Sequence, residues 1–139
     1  MLHGKNGVLA AVGVAVLLLG ACGGDDDDVA TSTEIEAEAT EFEFDPDSWA
    51  VPAGEEITID FTNVGSVEHE WAVIKQGEDI ESEDEFAEDK VLFEVEAIPA
   101  GESATESFTV EDAGTYQVVC VIEGHFDAGM EGTLTVGEG

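Results

Sequence analysis

The chain has 139 residues and a formal net charge of −31, from 34 acidic residues against three lysines and no arginine. That length supports one domain with a modest core. The charge excludes nucleic-acid binding of the usual kind, in which Lys and Arg neutralise phosphates, and it repels an anionic membrane surface.

Every acidic residue lies beyond position 24, and the acids run through the rest of the chain. Self-repulsion on this scale opposes a compact state. The Debye length is about 8 Å at ordinary ionic strength and about 3 Å near 1 M salt. The composition therefore suits a halophilic protein bathed in concentrated salt better than one with a single acidic docking face.

Residues Met1 to Ala21 read as a secretion signal. Lys5 gives a weakly positive start, and the apolar run Val8–Leu19 is shorter than the roughly 20 residues of a membrane span. The run ends Leu19-Gly20-Ala21-Cys22, which resembles the lipobox of prokaryotic lipoproteins, where the cysteine is lipidated and becomes the mature N-terminus. The expectation is an exported protein, lipid-anchored through Cys22 to the outer face of the cell membrane. Residues 22–33 then read as a lipidated cysteine and an acidic, disordered tether, and residues 34–139 as the folded domain. Extended at about 3.3 Å per residue, the tether reaches roughly 35 Å. With Cys22 acylated, Cys120 has no disulfide partner, and a lone extracytoplasmic thiol is a liability unless something occupies it.

From residue 34 the pattern is β. Ile35, Ala37 and Ala39 alternate with acids, and the alternation slips by one before Phe42 and Phe44, as at a bulge. Pro52-Ala53-Gly54 predicts a turn, and Ile57, Ile59 and Phe61 then share one face. Asn63-Val64-Gly65-Ser66 turns again, and His69, Trp71 and Val73 share parity in the next strand. Residues 76–90 form an acidic excursion, read as a solvated loop with one helical turn. Val91, Phe93, Val95 and Ala97 predict another inward row. After Pro99-Ala100-Gly101-Glu102 come Phe108 and Val110, then Tyr116, Val118 and Cys120, and finally Leu134 and Val136. Short strands between Gly/Pro turns predict an all-β fold of about seven to eight strands, an antiparallel sandwich or barrel.

The rarest residue types converge on one chemistry. Cys120, His125 and Met130 lie in the stretch Cys-Val-Ile-Glu-Gly-His-Phe-Asp-Ala-Gly-Met, and His69 is the other histidine beyond the leader. Parity points His69 and Cys120 inward at strand ends. A thiolate, two imidazoles and a thioether form a soft donor set that favours copper, and two His and one Cys with a weak axial Met is the blue-copper electron-transfer arrangement. A loop leaving the strand at Cys120 presents His125 from its tip and returns Met130 before the next strand. Gly124 and Gly129 give it the freedom to turn.

Here the chain resembles the cupredoxins, the plastocyanin–azurin–halocyanin–sulfocyanin group of small blue-copper proteins. The matching stretches are Phe-Asp-Pro at 44–46, Val-Pro-Ala-Gly-Glu at 51–55, Asn-Val-Gly-Ser-Val-Glu-His-Glu-Trp at 63–71, and the run from Gly114 to Val136 that holds Cys120, His125 and Met130. The resemblance covers most of residues 34–136 and implies a Greek-key β-sandwich binding one type 1 copper ion. By that likeness His69, Cys120 and His125 are equatorial ligands and Met130 is axial. Several family members carry Asn after the first histidine, tying the ligand loops together; Glu70 stands there in this chain.

The expected function is a monomeric, membrane-tethered carrier of single electrons between redox proteins of a membrane electron-transfer chain. His125 would be its electron port, and Phe126 and Ala128 part of an apolar docking patch. A copper storage or delivery protein uses the same ligands with exchangeable metal. An enzyme is not expected, since multicopper oxidases and copper nitrite reductases need further histidines and a binuclear copper centre needs a second nearby cysteine.

Overall fold

A computed structural model of the chain describes residues 30–138. The leader expected at 1–21, Cys22 and the tether as far as residue 29 lie outside the described residues. Hydrogen bonds to the fold begin at Ser32, whose N–H donates to Ala50 O at 3.0 Å, while Thr33 O accepts from Thr58 N at 2.8 Å.

Nine strands follow: β1 (Glu34–Thr40), β2 (Glu43–Asp45), β3 (Ser48–Pro52), β4 (Glu56–Asn63), β5 (His69–Ile74), β6 (Val91–Ile98), β7 (Ser103–Thr109), β8 (Gly114–Val119) and β9 (Glu131–Gly137). They form two sheets, ordered β2-β1-β4-β7 and β3-β9-β8-β5-β6. The chain changes sheet between β2 and β3, β3 and β4, β4 and β5, β6 and β7, and β7 and β8, which makes a Greek-key sandwich. The pairing is mixed rather than wholly antiparallel, because those crossings bring β1 beside β4 and β3 beside β9 running parallel.

Period-2 alternation explains the core. Ile35, Ala37 and Ala39 of β1 and Ile57, Ile59 and Phe61 of β4 are buried, and they face Trp49, Trp71, Val118 and Leu134 of the other sheet. Trp71 is fully buried at the centre, edge-on to Trp49 with ring centroids 5.4 Å apart. Tyr116, buried on β8, donates its hydroxyl to Asp112 O at 2.6 Å and so pins the turn entering that strand.

Two expectations about register are corrected. The slip before Phe42 is a hairpin, not a bulge. Thr40 pairs with Glu43, so Glu41 and Phe42 form a two-residue turn, with Phe42 at φ 68°. The inward row of β6 is broken by two register shifts. His69 and Trp71 face Ile98 and Val95, and Val73 and Ile74 face Phe93 and Val91, so β6 carries an extra residue at each step. Parity flips at each, so Phe93, Val95 and Ile98 join the main core while Ala97 is exposed. Val91 faces the other side of the sheet.

That other side has its own core. Ala72, Ile74, Val119, Ile80 and Phe126 are buried together, with Phe86 and Val91 packed against them. Ile80 and Phe86 belong to the excursion at 76–90, which is therefore a strap laid over β5 and β8 rather than a solvated loop. It contains two three-residue 3-10 turns, Glu83–Glu85 and Glu88–Lys90. Lys75 N donates to Lys90 O at 2.8 Å and closes its base.

Candidate metal centre

His69 opens β5, Cys120 follows the last residue of β8, and Met130 immediately precedes β9. β5 and β8 are hydrogen-bonded neighbours, as are β8 and β9, so the sheet order itself gathers these positions at one end of the sandwich. The loop between Cys120 and Met130 closes on itself. Cys120 N donates to Met130 O at 3.3 Å, His125 N to Ile122 O at 2.9 Å, and Met130 N to His125 O at 3.1 Å. Gly124 and Gly129 take φ of 86° and 106°, the left-handed values the turns around His125 require.

The result is a tight, buried cluster. His69, Cys120 and His125 each offer a donor atom, and these atoms all lie within 4.8 Å of one another. Cys120 Sγ is 3.4 Å from His125 Nδ1. His69, Cys120 and Met130 are fully buried and His125 nearly so. The two imidazole centroids are 4.9 Å apart.

The electrostatics of these donors suit a cation. Neither ring nitrogen of His69 has a hydrogen-bond partner, although both are buried. Glu41 Oε1 stands 3.4 Å from His69 Nε2, an electrostatic contact too long for a good hydrogen bond. Burial holds the His69 pKa below the usual imidazole value, and Glu41 only partly opposes this. Burial also pushes the Cys120 thiol up to about 11, against backbone N–H groups of Glu70 and Ile122 that act the other way. Two buried imidazole nitrogens without partners and a buried thiol are costly unless a ligand meets them. A soft cation meets all of them, because it binds neutral imidazole and stabilises the thiolate.

Other residues shape the site. Glu70 Oε1 accepts from Val121 N at 3.0 Å, so the residue standing in place of the family's Asn still ties β5 to the ligand loop. A β-carbon at Gly65 would displace Glu41 Oε1 and come within 2.9 Å of His69 Nε2, so a side chain there would press on the buried imidazole. Asn63 is buried, donating to Val67 O at 2.7 Å and Ile98 O at 2.9 Å and accepting from Gly65 N at 2.9 Å, and it holds the segment that leads to His69.

Phe126, expected in a docking patch, is instead 9% exposed and packs in the second core, leaving Ala128 exposed alone. The aromatic residue beside the site is Phe42, whose ring meets His125 edge-on with centroids 5.3 Å apart while remaining 43% exposed. Nothing in the sequence marked it, since the hairpin that carries it comes near His125 only through the tertiary fold.

Comparisons with known proteins agree with this geometry. The sequence profile of copper binding proteins of the plastocyanin/azurin family matches residues 31–137. Auracyanin-B of Chloroflexus aurantiacus is 29% identical over 77% of this chain, and the chain spans about half, 52%, of its length. Auracyanin-A of the same organism is 29% identical over 93% of this chain and 94% of its own. The structure of dithionite-reduced auracyanin from Roseiflexus castenholzii superposes with a TM-score of 0.70 at 27% identity, covering 78% of this chain and 99% of that one. His69, Cys120, His125 and Met130 are thus arranged as a type 1 site whose metal is copper. The chain belongs to the plastocyanin/azurin family of copper binding proteins.

Proposed function

We propose that the protein carries single electrons between redox partners. In this reading His69, Cys120, His125 and Met130 would together hold one copper ion. The observation that carries it is the cluster of three buried donor atoms within 4.8 Å of one another. When bound, copper supplies one-electron Cu(I)/Cu(II) chemistry. The protein's own part is to hold the donors still. His69 sits on a strand, Cys120 at a strand end, and His125 in a loop closed by backbone hydrogen bonds. Rigid donors keep the rearrangement between oxidation states small. The full burial of His69, Cys120 and Met130 favours retention of the metal over the exchange that storage or delivery needs.

Electrons enter and leave at the His125 end. Phe42, half-exposed and edge-on to His125, offers apolar surface beside the ring and serves as the contact for a partner. The Leu-Gly-Ala-Cys run supports export and lipid attachment at Cys22, which tethers the domain to the outer face of the membrane.

Copper loading followed by a visible spectrum and a redox titration tests the carrier. The expected result is an intense thiolate-to-copper band that bleaches reversibly on one-electron reduction and is absent in Cys120→Ser. A colourless oxidised protein after loading overturns the reading. Mass spectrometry of the mature N-terminus tests the tether, which predicts a diacylglyceryl group on Cys22.

A further inference from the structure

The strap at 76–90 reaches the copper-ligand loop through one side chain. Glu83 Oε2 accepts from Gly124 N at 2.8 Å and Glu83 Oε1 from Asp127 N at 3.3 Å. Asp127 returns the contact, its Oδ1 accepting from Glu83 N at 3.2 Å. The two amides that Glu83 holds lie either side of His125. The carboxyl pKa of Glu83 is below the usual range, first because of the Gly124 hydrogen bond, as expected of an ionised acceptor.

The strap is itself anchored. Gln117 on β8 clamps Ile80 at both ends, its Oε1 accepting from Ile80 N at 2.9 Å and its Nε2 donating to Ile80 O at 2.8 Å. Ile80 is buried beside Phe126 of the ligand loop, so strap and loop share one small apolar core. Lys75 Nζ donates to Asp89 O at 2.7 Å at the base. Glu83 is thus fixed from below by packing and grips the loop from above.

We propose that Glu83 is a positioning residue for the copper ligand His125, acting from a strap whose role is to brace the ligand loop. The loop between Cys120 and Met130 lies at the end of the sandwich, and Glu83 supplies acceptors from a separate element on both sides of the ligand. Outer hydrogen bonds of this kind orient a metal ligand and set how firmly the metal is held. Our inference rests on the copper reading for its functional meaning, but not for its geometry.

The test compares Glu83→Ala with Glu83→Gln, both of which remove the charge. Gln keeps one acceptor oxygen for the shorter bond, that from Gly124. In the metal-free protein, hydrogen exchange at the Gly124 amide is expected to quicken about tenfold in Glu83→Ala, the worth of one hydrogen bond, and to fall between that rate and the parent's in Glu83→Gln. Amides of β5 and β8 should exchange unchanged in both. In the copper-loaded protein, Glu83→Ala should lose metal to a chelator faster than the parent and show a displaced visible band, with Glu83→Gln restoring both toward the parent. Indistinguishable behaviour of the two variants would show that only the charge matters and would overturn the proposal. Unchanged exchange at Gly124 in Glu83→Ala, or exchange quickened throughout the sheet, overturns it as well. Failure to bind copper would sink the carrier function while leaving the exchange result readable.

Discussion

Glu70 and Val121 are joined by a 3.0 Å hydrogen bond from the Val121 amide to the Glu70 carboxylate, linking the residue after His69 to the residue after Cys120. The Val121 amide favours the ionised carboxylate, but a neutral carbonyl oxygen can accept the same bond. Burial raises the Glu70 carboxyl above its usual pKa, and Glu94, Glu68 and Glu96 add repulsion. A carboxyl with a raised folded pKa gives its full stability below the unfolded value and loses it as pH rises through the folded one. Glu70→Gln keeps the acceptor and removes that loss. It should melt at or above the parent temperature at neutral pH, with the advantage vanishing in acid. Glu70→Ala leaves the Val121 amide unpaired, at a cost of about 1–3 kcal/mol. Thermal melts of the two variants decide, and equal damage in both refutes the acceptor role.

Met130 is fully buried between the ligand loop and β9. Leu fills nearly the same volume, so Met130→Leu should cost less than about 1.5 kcal/mol. What it removes is the thioether sulfur, one donor of the proposed set, and Cu(II), which takes more ligands than Cu(I), would be the form that loses more. The expected outcome is a folded, coloured protein with a higher reduction potential. An unchanged potential in redox titration would count against Met130 as a ligand.

Asn63 carries three hydrogen bonds from a fully buried position, and they hold the chain between β4 and His69. Asn63→Ala frees two part-buried carbonyls and one amide, and a loss of about 2–3 kcal/mol is expected. Because the affected segment ends at His69, copper affinity should fall along with the melting temperature. A loss of stability with unchanged affinity would show that the segment holds His69 without Asn63.

The site was readable in the sequence because it is built from the chain's rarest residue types, placed at strand ends where parity fixes direction. Glu70 was visible as a departure, but whether it still tied the loops depended on where Val121 N–H points. Other features were hidden for physical reasons. A one-residue offset in alternation looks the same for a bulge and for the two-residue turn at Glu41 and Phe42. The parity of β6 depends on register shifts against β5, which a single strand does not record. The strap read as solvated because Ile80 and Phe86, its two anchors into the second core, are outnumbered by acids. Glu83 was one glutamate among many until the fold set it beside Gly124.

Tyr116 offers a pH test away from the metal ligands. Its hydroxyl donates to Asp112 O at 2.6 Å, and burial raises its pKa above 10.0. The neutral phenol's contribution is complete below the unfolded pKa and is lost as pH rises through the raised folded value. Tyr116→Phe should therefore be about 1 kcal/mol less stable near neutrality, with the difference closing in alkali. Denaturant melts at neutral and alkaline pH measure it, and a constant difference would rule out titration of this hydroxyl as the cause.

Salt should stabilise this protein, and the first sheet shows where. Glu36 of β1 lies opposite Asp60 of β4, and Glu38 of β1 opposite Asp45 of β2. Like charges directly across a sheet are destabilising, and here they repeat on a chain whose net charge is −31. The Thr105 hydroxyl relieves Asp60 with a 2.6 Å hydrogen bond but brings no positive charge. Raising salt from about 0.15 M to about 1 M shortens the Debye length from about 8 Å to about 3 Å, which screens these pairs. The melting temperature should rise steeply over that range. Glu36→Lys turns one repulsive pair into an attractive one, so it should raise the melting temperature at low salt and flatten the salt response. An equal slope in parent and variant would place the salt effect elsewhere than at this pair. A parent that melts at the same temperature at both salt concentrations would refute the halophilic reading of the surface.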